Sequence, residues 1–274
     1  MNPVQTQGPG GRGAEARARQ SRGLRSNRGA GAPILAAMAA LLLGACAPAV
    51  GSAPPPSVQP GEALKNDVHW ARTAAEHRGI FLQTYRLAAD RVRELAAGRA
   101  PGTWAVILDA DETVLDNSEY QKRLMQTGAR FHVSTWNDWV REAAADSLPG
   151  AAGFIRTVRE LGGRVAIVTN RDEEVCEPTR RNLASLAIVV DVVLCQAPGE
   201  QGKLGRFDAV RRGTTPAGLA PLEVLIFIGD NIQDFPGQTQ QLRSAPTAAL
   251  DDFGRTWFLL PNPMYGSWER NPPR

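Results

Sequence analysis

Asp109 and Asp111 stand two residues apart where the apolar run Trp104–Leu108 gives way to polar sequence. In an extended chain that spacing points both carboxylates to one side. A carboxylate held beside a divalent cation can act as a nucleophile, because the cation keeps it ionised and neutralises an incoming phosphate. The second carboxylate can protonate a leaving oxygen and later deprotonate the attacking water. Thr169 ends a second apolar run, 164–168, and offers a hydroxyl to a phosphoryl oxygen. Lys203 adds the positive charge on which phosphoryl transfer depends, together with positioning. Asp230 and Asp234 follow a third apolar run at 223–228, Asp230 as a metal ligand and Asp234 to hold a ligand or Lys203. Hard oxygen donors of this kind suit Mg²⁺. A lone Asp is ordinarily a loop residue or a helix cap. The ordered set is far more specific: strand then DxDxT, strand then Thr, Lys, strand then GDNxxD, each in the context it requires.

Those positions need elements to carry them. Apolar residues at helical spacing from Trp70 to Leu95 predict one helix over 62–97, stopped by Gly98 and Pro101. Strands are expected at 104–108, 164–168, 189–194, 223–228 and 256–260, with helices at 150–162, 173–186 and 204–212 between them. Continuous apolar strands alternating with helices mean a parallel α/β sheet with helices on both faces. In such sheets the ligand lies beyond the carboxyl ends of the strands, so Asp109, Thr169 and Asp230 converge on one crevice. The polar stretch 117–149, with Trp136 and Trp139, breaks the alternation and reads as a small insertion covering that crevice.

The composition is that of a globular protein, with 22% charged and 43% hydrophobic residues among 274. Its 31 Lys and Arg outnumber 28 Asp and Glu, for a net charge of +3. Residues 1–45 hold six of the arginines and one acid, so the remainder carries 25 basic residues against 27 acidic. The basic footprint of a nucleic-acid-polymer binder therefore disappears with that segment. The same 45 residues have the parts of a secretory signal: an arginine-bearing start, an Ala/Leu-rich run at 32–43, and Leu-Gly-Ala before Cys46. The ending resembles a bacterial lipobox, which makes Cys46 the expected lipidation site, an N-terminal anchor to the membrane. An uncleaved membrane anchor is the competing reading of this stretch. Residues 46–61, rich in Pro and Ala, read as a tether, leaving 62–274 as the folded domain. Cys176 and Cys195 then lie in an oxidising compartment. Sequence leaves their pairing open, and two separate buried thiols are the favoured expectation. The three histidines, His69, His77 and His132, lack metal-ligand spacing.

The segments DADETVLDNS (109–118), IVTNR (167–171), GKLGRFDAV (202–210) and IGDNIQDF (228–235) resemble the haloacid dehalogenase (HAD) superfamily. More narrowly they are similar to the class C, or DDDD, nonspecific acid phosphatases, which include bacterial lipoprotein 5'-nucleotidases. STWNDWV (134–140) and FLLPNPMYGSWE (258–269) are similar to that subgroup too. The resemblance covers residues 62–270 and implies a HAD-like Rossmannoid sheet with a mainly helical cap after the first catalytic strand. It implies Asp109 as the nucleophile forming an aspartyl-phosphate, Asp111 as general acid and base, and Thr169 and Lys203 as phosphate holders. Mg²⁺ is expected on the Asp109 side chain, the Asp111 backbone carbonyl and Asp230, with Asp234 in support. Asn170, inside IVTNR, is expected to bind substrate.

The family acts on small phosphomonoesters, often nucleoside monophosphates whose base lies between aromatic rings. Tyr120, Trp136 and Tyr265 are the candidates here, base stacking contributing ~1–3 kcal/mol. Two other functions stay in view. One is a binding lipoprotein for haem or a nucleotide cofactor, against which Asp109 argues by being present. The other is a phosphotransferase, in which an alcohol replaces water in the second half-reaction.

Overall fold

The computed structural model describes residues 64–273. The leader, Cys46 and the tether at 46–61 lie outside the described residues. The expected single N-terminal helix is two, α1 (Asn66–Thr73) and α2 (Ala75–Ala96). Ala74 between them is extended, although its N–H still donates to the Trp70 carbonyl at 3.0 Å. Neither Gly nor Pro marks the break, which is why periodicity alone runs through it. On α2, Phe81, Tyr85, Ala88 and Val92 recur on one buried face, the stripe that an amphipathic helix turns to a core.

The chain then forms β1 (Trp104–Leu108), β2 (Leu115–Asp116), α3 (Ser118–Thr127), α4 (Val133–Glu142) and β3 (Asp146–Ser147). Next come α5 (Ala151–Glu160), β4 (Arg164–Asp172), α6 (Cys176–Ser185), β5 (Val192–Gln196), α7 (Leu204–Arg212), β6 (Glu223–Gly229) and β7 (Trp257–Leu259). The main sheet is parallel throughout, in the order β5-β4-β1-β6-β7. The strand carrying Asp109 is therefore central, with the Thr169 and Asp230 strands on either side. Alternate residues serve opposite cores. Val106, Leu108, Val165 and Ile167 join α2 and α5 on one face, and Ala105, Ile107, Ala166 and Val168 join Phe207 and Val210 of α7 on the other. Strands walled on both sides must be apolar at every position, which is how they stand out in sequence.

Between Asn117 and Pro149 the chain leaves this sheet to form α3 and α4, with β2 and β3 pairing antiparallel at their base. Two expectations are corrected at the far edge. The strand expected at 189–194 pairs only from Val192, and Val189 is exposed, so its apolar character belongs to the approach. Cys176, opening α6, and Cys195, near the end of β5, form a disulfide rather than two separate thiols. Helix α6 returns along β5 and brings residues 19 apart to a Cα separation of 5.8 Å, a juxtaposition that spacing does not reveal. Among the described residues no helix is long and apolar enough to cross a membrane.

Candidate active site

Beyond β1 the chain turns at once. The N–H groups of Val114 and Leu115 both donate to the Ala110 carbonyl, and Glu112 sits at φ 50°. The Glu112 carboxylate accepts the Asn117 N–H at 2.8 Å and closes the loop from beneath. From α2, the Tyr85 hydroxyl donates to the Thr113 carbonyl at 2.7 Å, anchoring the same turn to the core. Asp109 and Asp111 leave this turn for different neighbours.

Lys203 lies between two carboxylates, donating to Asp109 Oδ1 at 2.5 Å and Asp234 Oδ1 at 2.6 Å, with all three groups buried. Asp234 Oδ2 accepts the Asn231 N–H at 2.8 Å, so both its oxygens are engaged in holding Lys203 and its own loop. Asp230 accepts from Asn262 at 2.8 Å and, at 3.4 Å, from the Thr113 hydroxyl. Carboxylate oxygens of Asp109, Asp230 and Asp234 lie within 4.8 Å of one another. Burial pushes Asp109 up, Lys203 pulls it down, and Asp234 and Asp111 raise it again, leaving it at about 7. Asp230 is held well above the carboxylate range by burial, then by Asp234 and Asp109. Burial alone would lower Lys203, but Asp109 and Asp234 outweigh it and hold the ammonium above its usual value. Two buried carboxylates and a half-buried third surround one ammonium, so ionising all three would leave a surplus of negative charge, and uncompensated buried charge is costly. A divalent cation fits that surplus, and the donors are hard oxygens.

Asp111 stands apart from that trio. Arg171, itself buried, donates to Asp111 Oδ1 from Nε at 2.9 Å and Nη2 at 2.7 Å, and Asn117 Nδ2 adds a third bond at 2.9 Å. Oδ2 has only a 3.5 Å approach from the Thr169 hydroxyl. Sequence reasoning assigned no role to Arg171, Asn117 or Asn262, although all three lie inside the quoted motifs. Nothing in their spacing tells which carboxylate each would meet.

A cavity of about 970 Å³ opens over this floor, with Asp111, Asn170 and Arg171 at its base and Trp136 and Tyr265 on its walls. Phe131, mostly exposed and 6.3 Å from the Trp136 ring, lines it too and was missed by sequence reasoning. Tyr120 is corrected: it does not line the cavity but packs edge-on beneath Trp136 at 5.2 Å, its hydroxyl 3.0 Å from that of Thr135. Its place on the buried side of α3 removes it from the substrate candidates. The C-terminal segment closes the rim opposite the cap. Besides the Asn262 bond to Asp230, the Ser267 hydroxyl donates to Asn231 Oδ1 at 2.8 Å.

One glycine is sterically required here. A Cβ on Gly229 would stand 2.3 Å from the Asp234 carboxylate, a distance no real contact tolerates. Gly229→Ala is expected to displace Asp234 and slacken Lys203, lowering kcat by roughly 10²-fold, as a misplacement of about 1 Å can do. Steady-state kinetics beside a circular-dichroism melt checks this, and unchanged kcat in a folded variant refutes it.

The HAD superfamily, subfamily IIIB (acid phosphatase), matches residues 58–268 of this chain. Two solved structures are similar: the class C acid phosphatase from Bacillus anthracis, and that enzyme with tungstate bound. Each is 30% identical, covers 74% of this chain and 85% of its own, and superposes with a TM-score of 0.66. A sheet of this order with Asp109 on its central strand, and a family match over most of the chain, lead to one conclusion. The chain belongs to HAD subfamily IIIB, the acid phosphatases, and is a phosphomonoesterase.

Proposed function

We propose that the chain is a Mg²⁺-dependent phosphatase that acts outside the cytoplasm and prefers nucleoside 5'-monophosphates. The observation that carries the reading is the buried Lys203 bridging Asp109 and Asp234, with Asp230 alongside. Lys203 and the Thr169 hydroxyl receive the phosphate, and Asp109 attacks phosphorus through the oxygen that Lys203 leaves free. The bond to the ester oxygen breaks, an aspartyl-phosphate forms on Asp109, and Asp111 protonates the departing alkoxide. Asp111, fixed through Oδ1 by Arg171 and Asn117, has Oδ2 available for that proton. It then takes a proton from water as the water attacks phosphorus, and inorganic phosphate leaves. Mg²⁺, held by Asp109, Asp230 and the Asp111 carbonyl with Asp234 in support, would supply the charge that keeps Asp109 ionised and neutralises the phosphate. Tungstate, bound by the Bacillus anthracis relative, is an oxyanion, as phosphate is.

The nucleotide preference is supported by Trp136, Tyr265 and Phe131 around a cavity larger than a phosphate requires. The extracytoplasmic reading is supported by the leader at 1–45, Cys46 and the Cys176–Cys195 disulfide, a bond rare in reducing compartments. An outer-membrane lipid anchor at Cys46 follows by analogy with the lipoprotein relatives, and loss of membrane association in Cys46→Ser tests it. Release of phosphate by residues 62–274 from adenosine 5'-monophosphate and an aryl phosphate, with Mg²⁺ or with EDTA, tests the rest. Metal-dependent release faster from the nucleotide supports the reading. Turnover persisting in EDTA excludes the metal, and equal rates exclude nucleoside selection.

Metal and protons compete for the same carboxylates. In the metal-free fold Asp109 titrates at about 7 against an ordinary value of 3.8, so the folded state keeps a proton the unfolded state loses. Stability of the metal-free protein therefore falls as pH rises through that window. Mg²⁺ is expected to raise Tm more at pH 8 than at pH 5, as scanning calorimetry would read. An equal shift at both pH values contradicts the metal assignment.

A further inference from the structure

Arg206, on the first turn of α7, is buried and no part of the chemistry above uses it. Its guanidinium nonetheless touches three segments that the chemistry needs. Nη1 donates to the Thr169 carbonyl and, at 3.5 Å, to that of Leu194. Nη2 donates to Asn170 Oδ1 at 2.9 Å and to the Gly202 carbonyl at 2.7 Å. Nε donates to Glu200 Oε1 at 2.9 Å, and that carboxylate is also bound by the Ala197 N–H at 3.1 Å. One planar fork thus joins β4, β5 and the 197–203 loop that delivers Lys203.

We propose that Arg206 is a positioning residue for the phosphate-receiving half of the site. It fixes the Thr169 hydroxyl, the Asn170 amide and the Lys203 ammonium in one arrangement. Thr169 comes from β4 and Lys203 from the loop before α7, and no hydrogen bond joins them directly among the described residues. Thr169 is tied to the Lys203 loop through Arg206, which holds the carbonyl of the first and the carbonyl of Gly202 beside the second. The same fork decides which end of the Asn170 amide is engaged. Because Oδ1 accepts from Arg206, the two N–H donors of Asn170, which lines the cavity, remain for a phosphoryl oxygen. A lysine at 206 keeps the charge but gathers its donors on one nitrogen, which does not span acceptors on three segments as a planar guanidinium does. Among the described residues neither metal-side carboxylate, Asp109 or Asp230, forms a hydrogen bond or ion pair with Arg206, so the two halves of the site should separate experimentally.

The inference rests on Thr169 and Lys203 receiving phosphate, and the experiment keeps the two claims apart. The probe is orthophosphate as a competitive inhibitor of aryl-phosphate hydrolysis, with the Mg²⁺ half-saturation concentration measured in parallel. Arg206→Lys is expected to raise the orthophosphate inhibition constant about 10-fold and to lower kcat by about 10- to 100-fold, with Mg²⁺ half-saturation within about 2-fold of wild type. Equal weakening of Mg²⁺ and phosphate would show a general loosening and overturn the proposal. So would an inhibition constant that stays at the wild-type value in the folded variant. If Arg206→Lys fails to fold, Glu200→Gln decides. It keeps the guanidinium but loses its charged tether, and an inhibition constant raised about 3-fold supports the proposal while an unchanged one overturns it. Lys203→Met is the control for the foundation, with orthophosphate binding read directly by titration calorimetry: if the variant binds it as wild type does, the phosphate assignment falls, and the role of Arg206 with it.

Discussion

Asp109→Asn should yield a folded protein whose phosphatase turnover is lower by at least about 10⁴-fold, the scale seen when a covalent nucleophile is removed. Asparagine keeps the side-chain volume and an oxygen that accepts from Lys203, and Asp234 still balances the buried ammonium. What disappears is the ionised oxygen that attacks phosphorus. Far-UV circular dichroism and the melting curve should therefore resemble wild type while kcat collapses. Acid quenching with labelled substrate gives the sharper readout. Wild type should trap a phosphate ester on the protein, and the variant none. Turnover above about one per cent of wild type in Asp109→Asn would mean that another group attacks phosphorus.

The second large effect is expected at Asp111, and it should depend on the leaving group. Asp111→Asn retains an oxygen for Arg171 and Asn117 but has no proton to give. A nucleoside alkoxide is a poor leaving group and needs that proton, so its hydrolysis should fall by about 10³- to 10⁴-fold, the upper range for general acid catalysis. An aryloxide leaves without help, so phosphorylation of Asp109 should proceed and hydrolysis of the intermediate, which needs a base, should stall. Stopped-flow kinetics should show a burst of aryl alcohol matching the enzyme concentration, followed by slow turnover. Equal losses on both substrates with no burst would remove Asp111 from the proton-transfer role.

Much of this site was legible in sequence because the elements that carry it are extreme. A strand covered on both faces must be apolar at every residue, so Asp109, Thr169 and Asp230 stand out as the polar residues ending the runs of β1, β4 and β6. Lys203 and Asp234 were readable by type and order alone. The residues that hold those groups were not. Arg171, Asn117, Asn262 and Arg206 lie in polar segments, where hydropathy is silent, and all but Asn117 find their partners far away in the sequence. Tyr120 misled because an aromatic in a polar insertion serves equally as ligand contact or as core of the insertion, and here α3 turns it inward. The pairing of Cys176 with Cys195 was hidden for a related reason. It depends on how α6 lies along β5, not on either segment alone.

The bond from Asn262 to Asp230, with that from Ser267 to Asn231, has a consequence for synthesis. A ribosome delivers Asp109 about 150 residues before these braces. A chain arrested just past Asp234 already carries the carboxylates, Thr169 and Lys203, yet Asp230 has no Asn262 to hold it and the rim that includes Tyr265 does not exist. Nascent and prematurely terminated chains are therefore expected to be inert toward phosphate esters even where the sheet has formed. Activity waits for residues 262–267, so the order in which the polypeptide is made also times when its chemistry is released.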